Sequence, residues 1–324
     1  MLPKFTYARP SSVEKALAGL SDRSARVHAG GTDLLGCLRD RVFSAETVVS
    51  LSAIKELRGI ATASSGGLRL GAMTTIAEIA SNETIEGRYS ALADAAQVVA
   101  SPQLRSQGTI AGNLCQKPRC WYYRGDFDCL RKGGEMCFAY EGENQYHCIF
   151  GGDQCFIVHP SDTAPALAAL GAVCRVSGPS SSRSVAVEAL HMPPSQDPQR
   201  ETVLENDEII TEIVLPPPAN GLRSSYRKVR TRASWDFALA GVALALTFEG
   251  ETVTSARVFL SGAAPIPWRA TGVEAAITGK ELNAATIVAA STAVVEGAEP
   301  LSNNAYKVEL FQGLMTDQLE SIAG

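Results

Sequence analysis

The sequence has no basic excess, no long apolar run and neither of the standard glycine fingerprints of nucleotide binding. Lys and Arg number 29 against 34 Asp and Glu, a formal net charge of −5. Nucleic-acid and membrane-surface binders usually show a basic surplus or stripe, so the balance argues against both kinds of partner. The longest strongly apolar stretch, Phe237 to Phe248, is too short to span a bilayer and reads as a buried strand. The first residues, MLPKFTYARPSS, carry no apolar signal core and no twin arginine, so a cytoplasmic location is expected. Neither GxGxxG nor GxxxxGK[ST] occurs, and there is no CxxC pair. No internal repeat and no low-complexity tract is found. The four histidines, His28, His147, His159 and His191, are scattered. They form no constellation for acid–base or nucleophilic work, so no catalytic residue is expected on this chain.

What is present is enough chain for two domains, 324 residues of which 45% are hydrophobic. Short apolar strands at Ala25–Ala29, Thr47–Leu51 and Gly67–Gly71 alternate with helical patterns at Val13–Leu20, Ile76–Ala80 and Tyr89–Ala100. Ser11 and Ser12 are cap candidates for the first of these helices. Ser161–Gly171 reads as a helix started by Ser161 or Asp162, and 208–215 as a strand. A Pro, Asn and Gly punctuation at 216–221 marks the expected domain boundary. Beyond it, strands near 223–230, 237–248 and 252–260 precede helices near 270–279, 283–296 and 303–322. The expected class is α+β, with the C-terminal helices packed on their strands.

The cysteines are the strongest anomaly. Cys115, Cys120, Cys129, Cys137, Cys148 and Cys155 fall within 41 residues, with only Cys37 and Cys174 outside. In a cytoplasmic protein such crowding suggests a metal or iron–sulfur site rather than disulfides. Residues 116–156 have no clean period, and a loop that long inside a compact domain is normally functional. The spacing Cys120, Cys129, Cys137, Cys155 is not a ferredoxin run, and zinc or a set of buried free thiols remain as other readings. Arg119, Arg124, Arg131 and Lys132 in the same loop could offset the negative charge of a four-thiolate cluster.

Two glycine turns carry the ligand signal. Ala29-Gly30-Gly31-Thr32-Asp33-Leu34-Leu35 follows a strand, and its glycines allow positive φ and close approach of a pyrophosphate to backbone N–H groups. Gly108-Thr109-Ile110-Ala111-Gly112-Asn113 offers a second backbone-lined turn. Taken singly, each reads more readily as an ordinary tight turn.

Together with HPSDTAPALAAL at 159–170, LGAMTTIAEI at 70–79, YRKVRTRASWDFALAGVAL at 226–244 and GAAPIPWRA at 262–270, these turns make the sequence resemble the FAD-binding subunits of the xanthine dehydrogenase family of molybdenum hydroxylases. The resemblance runs through essentially the whole chain. It implies a vanillyl-alcohol-oxidase (PCMH-type) FAD-binding domain over 1–217 and a CO-dehydrogenase-flavoprotein-like α+β domain over 218–324. By it, the stretch from Ala29 to Leu35 would hold FAD, with Gly30, Gly31, Thr32 and Asp33 at the pyrophosphate. Thr75 would approach the flavin, and Gly108, Thr109, Gly112 and Asn113 would line the dinucleotide. Asp162 would bond the ribose or adenine. Lys228 would sit near the isoalloxazine, where a cation helps hold a reduced, anionic flavin; the plain reading of Lys228, Arg230 and Arg232 is a solvated strand face.

The resemblance also implies partners: a molybdopterin-containing large subunit, where substrate reacts, and a small 2Fe–2S subunit. Ordinary members lack the cysteine loop. Two branches carry it with a 4Fe–4S cluster, 4-hydroxybenzoyl-CoA reductase and certain bacterial aldehyde oxidoreductases. The wording KPRCWYYRGDFDC is most like the reductase branch, which would remove a phenolic hydroxyl from 4-hydroxybenzoyl-CoA using electrons from ferredoxin. The ligands expected from the aldehyde-oxidoreductase pattern are Cys120, Cys129, Cys137 and Cys155, with Cys148 the rival for the last place. The alternatives are an aldehyde oxidoreductase flavin subunit, or a zinc or iron–sulfur regulatory protein that binds a nucleotide as a signal.

Overall fold

A computed structural model describes residues 1–324. It contains three sheets and an irregular cysteine loop. The first sheet is parallel, with Thr47–Ser50 between Thr6–Ala8 and Ala25–His28. Its central strand shows why a short β-branched run suffices. Successive side chains point to opposite faces. Val49 enters a core with Leu17, Leu20 and Ile54, while Val48 packs with Leu38 and Ala45.

The second sheet is antiparallel, in the order Ile60–Thr62, Leu68–Gly71, Ile209–Leu215, Val173–Ser177, Ser182–Ala186. Ile209–Leu215 thus fills the middle of a sheet whose neighbours lie far from it in sequence. Buried helices cover this sheet. Thr163–Ala169 is buried at every residue, and five of the eight residues of Ser90–Gln97 are buried. The alanine-rich sequence of Thr163–Ala169 lets it lie close between two sheets. Pro165 is tolerated there because it falls in the first turn, where a backbone N–H has no helical partner.

The third sheet is antiparallel, Trp268–Arg269, Thr252–Ser261, Ala240–Glu249, Leu222–Val229. Ala240–Leu246 is wholly buried because both faces are covered. One face gives Ala243, Ala245, Phe259 and Tyr226 to the 33-residue core shared with the N-terminal helices. The other gives Val242, Leu244 and Leu246 to a core with the helices Thr271–Ile277, Ala284–Ala293 and Tyr306–Ala323. No helix is long and apolar enough to cross a membrane.

The cysteine loop has little regular structure beyond short turns at Trp121–Arg124 and Leu130–Lys132. Its second half is fastened to the C-terminal part of the chain. The Ile149 and Phe150 amides both donate to Ala263 O, at 2.9 and 3.1 Å. The Asn304 side chain donates to His147 O and Cys148 O. Fully buried Lys307 donates to Gly262 O at 2.7 Å, and Phe150 stacks on Trp268.

Candidate functional site

The two glycine turns meet. A Cβ on Gly30 would stand 1.9 Å from Gln107 O, so the backbones of the two turns touch there and no side chain fits between them. Gly31 has φ +75°, a left-handed conformation that turns successive N–H groups toward one side. Beneath it lies His28, half-buried, with Nδ1 unpartnered; burial holds its pKa below the usual imidazole value. The second turn is pinned by its neighbours. Ile110 N donates to Thr74 O, Ile76 N donates to Gly108 O, and Thr109 Oγ1 caps Gly112 N.

These turns form part of the wall of a cavity of about 710 Å3, within the range of cofactor sites. Ala29, Gly30, Gly31, Thr32, Asp33, Leu34, Gly108, Thr109, Gly112, Asn113 and Asp162 all line it. Leu35, Thr75 and Lys228 do not. Thr75 instead caps the helix Ile76–Ala80 in a reciprocal box with Glu78 and bridges to Thr109, so it supports the wall from behind.

Several polar side chains have partners the sequence did not suggest. Asp33 accepts from Arg124 at 2.7 Å, from Arg119 at 2.9 Å and from Lys117 N at 2.8 Å. Its carboxylate therefore clamps the start of the cysteine loop, and a carboxylate has no proton to offer a phosphate. Asp162 accepts from Tyr226 Oη and Lys228 Nζ, both at 2.8 Å. Lys228 is 1% exposed at its side chain, so it lies on no solvated face, unlike Arg232 at 67%. This buried pair joins the start of helix Thr163–Ala169 to the third sheet. Asn113 Oδ1 accepts from Ser161 and Thr163, fixing that same helix start to the second turn.

The sequence did not flag Arg119 as a cavity residue. Its guanidinium lies 5.1 Å over the Phe237 ring, both line the cavity, and its Nε is buried without a partner. An orphaned donor on the wall and a left-handed glycine turn on the same wall suit an anionic dinucleotide. The Asp33 clamp leads to a prediction. Asp33→Asn leaves two arginines without their carboxylate and should cost about 2–3 kcal/mol, the buried-pair value reduced for partial exposure. Chemical denaturation and faster proteolysis within 116–156 would register it.

A second, smaller cavity is lined by Cys120, Cys129, Cys137 and Cys155, with Arg131 and His147. Cys148 does not line it; its Sγ packs behind, against Gly152. The space is about 10 Å3, room for roughly one water. The neighbouring Cys137 thiol holds the Cys155 thiol below its usual value, while Cys155 and burial raise that of Cys137. Burial pushes Cys148 up to about 12 and lowers His147 to about 4, so the imidazole is neutral. His147 Nε2 is 3.3 Å from Cys120 Sγ, while His147 Nδ1 and Arg131 Nε are buried without partners. No three His, Cys, Asp or Glu side chains are close enough to hold a single metal ion. The chemistry of the donor set, four thiols with two orphaned nitrogen donors beside them, is that of a thiolate site.

Residues 3–218 match the family described as the FAD binding domain in molybdopterin dehydrogenase. Residues 224–322 match the CO dehydrogenase flavoprotein C-terminal domain. The chain is 35% identical to the aldehyde oxidoreductase FAD-binding subunit PaoB of Escherichia coli K12, over 94% of each chain. It is 29% identical to the carbon monoxide dehydrogenase medium chain of Hydrogenophaga pseudoflava, over 92% of this chain and 88% of that one. Among solved structures, a carbon monoxide dehydrogenase from Hydrogenophaga pseudoflava superposes with a TM-score of 0.79 at 27% identity, covering 99% of this chain and 98% of that one. Quinoline 2-oxidoreductase from Pseudomonas putida 86 shares the fold, with a TM-score of 0.79 at 23% identity over 100% and 98% of the chains.

Proposed function

The chain belongs to the FAD-binding subunits of the molybdenum hydroxylase family, and from that premise we propose that it is the flavin and iron–sulfur electron-transfer subunit of an aldehyde oxidoreductase. The observation that carries the reading is the meeting of the two glycine turns on the wall of one cofactor-sized cavity. FAD, when bound, exchanges electrons with other redox centres; the protein supplies binding, orientation and local charge. In this reading the 29–35 turn takes the pyrophosphate through backbone N–H groups, with Arg119 as a charged neighbour. Gly108, Thr109, Gly112 and Asn113 line the dinucleotide, and Asp162 stays an inter-sheet anchor beside it. The division of the chain at 217/218 falls between the strands Ile209–Leu215 and Leu222–Val229.

The cysteine cavity would hold one 4Fe–4S cluster on Cys120, Cys129, Cys137 and Cys155. A molybdopterin large subunit and a small 2Fe–2S subunit would complete the complex. Between the two branches that carry such a loop, 35% identity to an aldehyde oxidoreductase subunit favours the aldehyde reading. The 4-hydroxybenzoyl-CoA reductase reading, with ferredoxin as donor, has loop wording alone behind it.

Two measurements separate these readings. In the purified complex under anaerobic conditions, an aromatic aldehyde should bleach the flavin absorbance, whereas benzoyl-CoA production from 4-hydroxybenzoyl-CoA with reduced ferredoxin would move the assignment to the reductase. The chain purified alone should be reduced by dithionite yet show no turnover with either substrate, since it contains no acid–base or nucleophilic constellation. Turnover by the molybdenum-free chain would sink the subunit role.

A further inference from the structure

The cysteine cavity has one charged side chain on its wall. Arg131, 1% exposed at its side chain, is that residue. Arg131 Nη1 donates to Glu201 Oε1 at 2.9 Å and to Arg200 O at 3.2 Å, while its Nε is buried with no partner. The other oxygen of Glu201 is taken by Lys117. Glu201 and Lys117 both line the flavin cavity. One carboxylate is thus shared between two cations, buried Arg131 and Lys117 at 33% exposure, which leaves the three groups with one net positive charge. A buried cation of this kind calls for an anion, and the open Nε belongs to a side chain on the cavity wall.

We infer that Arg131, held by Glu201, is a positioning residue that balances the charge of an anionic, thiolate-bound group in the cysteine cavity, and that Arg131–Glu201–Lys117 links that group electrostatically to the flavin cavity. The inference rests on the iron–sulfur reading above. Positive charge close to a redox group favours its reduced form, and hydrogen bonds to ligand sulfurs act in the same direction. Arg131 and Glu201 carry opposite charges, so their removal should move the group's potential in opposite directions. A purely structural ion pair would not have that signature.

The test uses the purified full complex of the wild type and of Arg131→Met, Arg131→Lys and Glu201→Gln. Three quantities are read: iron per flavin, the rate of iron loss to bathophenanthroline, and the midpoint potential of the cluster signal by EPR-monitored titration. Arg131→Met should lose iron roughly 10- to 100-fold faster, the usual effect of removing an outer-sphere partner, and its potential should fall. Glu201→Gln should raise the potential. Arg131→Lys keeps a charge and should lie between wild type and Arg131→Met, and it preserves the test if Arg131→Met does not fold. Wild-type iron no greater than the partner subunits' 2Fe–2S content would overturn the iron–sulfur reading and the inference with it. Wild-type iron in excess, with unchanged potentials in Arg131→Lys and Glu201→Gln, would overturn the inference alone.

Discussion

Alanine at any one of Cys120, Cys129, Cys137 or Cys155 is expected to leave the complex roughly four irons short, the content of one four-thiolate cluster, while Cys148→Ala keeps them. The four lie on the wall of one cavity and Cys148 packs outside it. Cys148 is 1% exposed and packs among Ile149, Phe150 and the C-terminal part of the chain rather than on the cavity wall. The loop should also become more susceptible to proteolysis in the four variants. Between Trp121 and Phe156 it has only two short helical turns of its own, so a group held by residues from 120 to 155 would supply much of its order. FAD should remain, because the 108–113 turn is pinned by 72–76 and Asp33 is held by Lys117, Arg119 and Arg124 rather than by any cysteine. Iron analysis with EPR decides the matter. Loss of iron in Cys148→Ala with retention in Cys155→Ala would reassign the fourth ligand.

Gly31→Val is expected to purify without FAD, with flavin occupancy reduced by at least tenfold, equivalent to about 1.4 kcal/mol or more of lost binding energy. A β-branched residue is strained at φ +75°. Its Cβ would also stand 2.7 Å from His28 Nε2 and 3.2 Å from Leu35 Cδ1. Gly30→Ala should act as strongly for a different reason, since its Cβ would meet the backbone oxygen of Gln107 and push the two turns apart. The flavin-to-protein absorbance ratio after gel filtration reads the effect, and circular dichroism reports whether the fold survives. Full flavin content in folded Gly31→Val would show that this turn is not the phosphate site.

Much of this arrangement is legible in the sequence where local chemistry decides it. Thr47–Ser50, Ile209–Leu215 and Ala240–Glu249 are visible because apolar runs bounded by turn residues encode buried strands. Ser12 is visible as a cap, and its side chain accepts from Lys15 N. Ser161 was one of two candidate caps and is the one whose hydroxyl accepts, from Ala164 N; Asp162 is spent on Tyr226 and Lys228 instead. The edge strands Ile60–Thr62 and Ser182–Ala186 escape notice because they are short and largely exposed, so they carry no alternation. Long-range electrostatics escape for a deeper reason. Nothing near Glu201 marks it as the partner of Lys117 and Arg131, which lie 84 and 70 residues away. Asp33 reads as part of a ligand motif, yet its carboxylate is satisfied by the loop that begins at Lys117. Spacing likewise leaves Cys148 and Cys155 as rivals, and only the fold shows that Cys155 lines the cavity and Cys148 does not.

The most direct test of the account is the flavin content of the purified full chain. Heat or acid should release FAD at one molecule per chain, in stoichiometric amount and not covalently attached. Reconstitution should fail in Gly30→Ala and Gly31→Val but succeed in the cysteine variants. A folded wild-type chain that neither contains FAD nor takes it up when supplied would contradict the account.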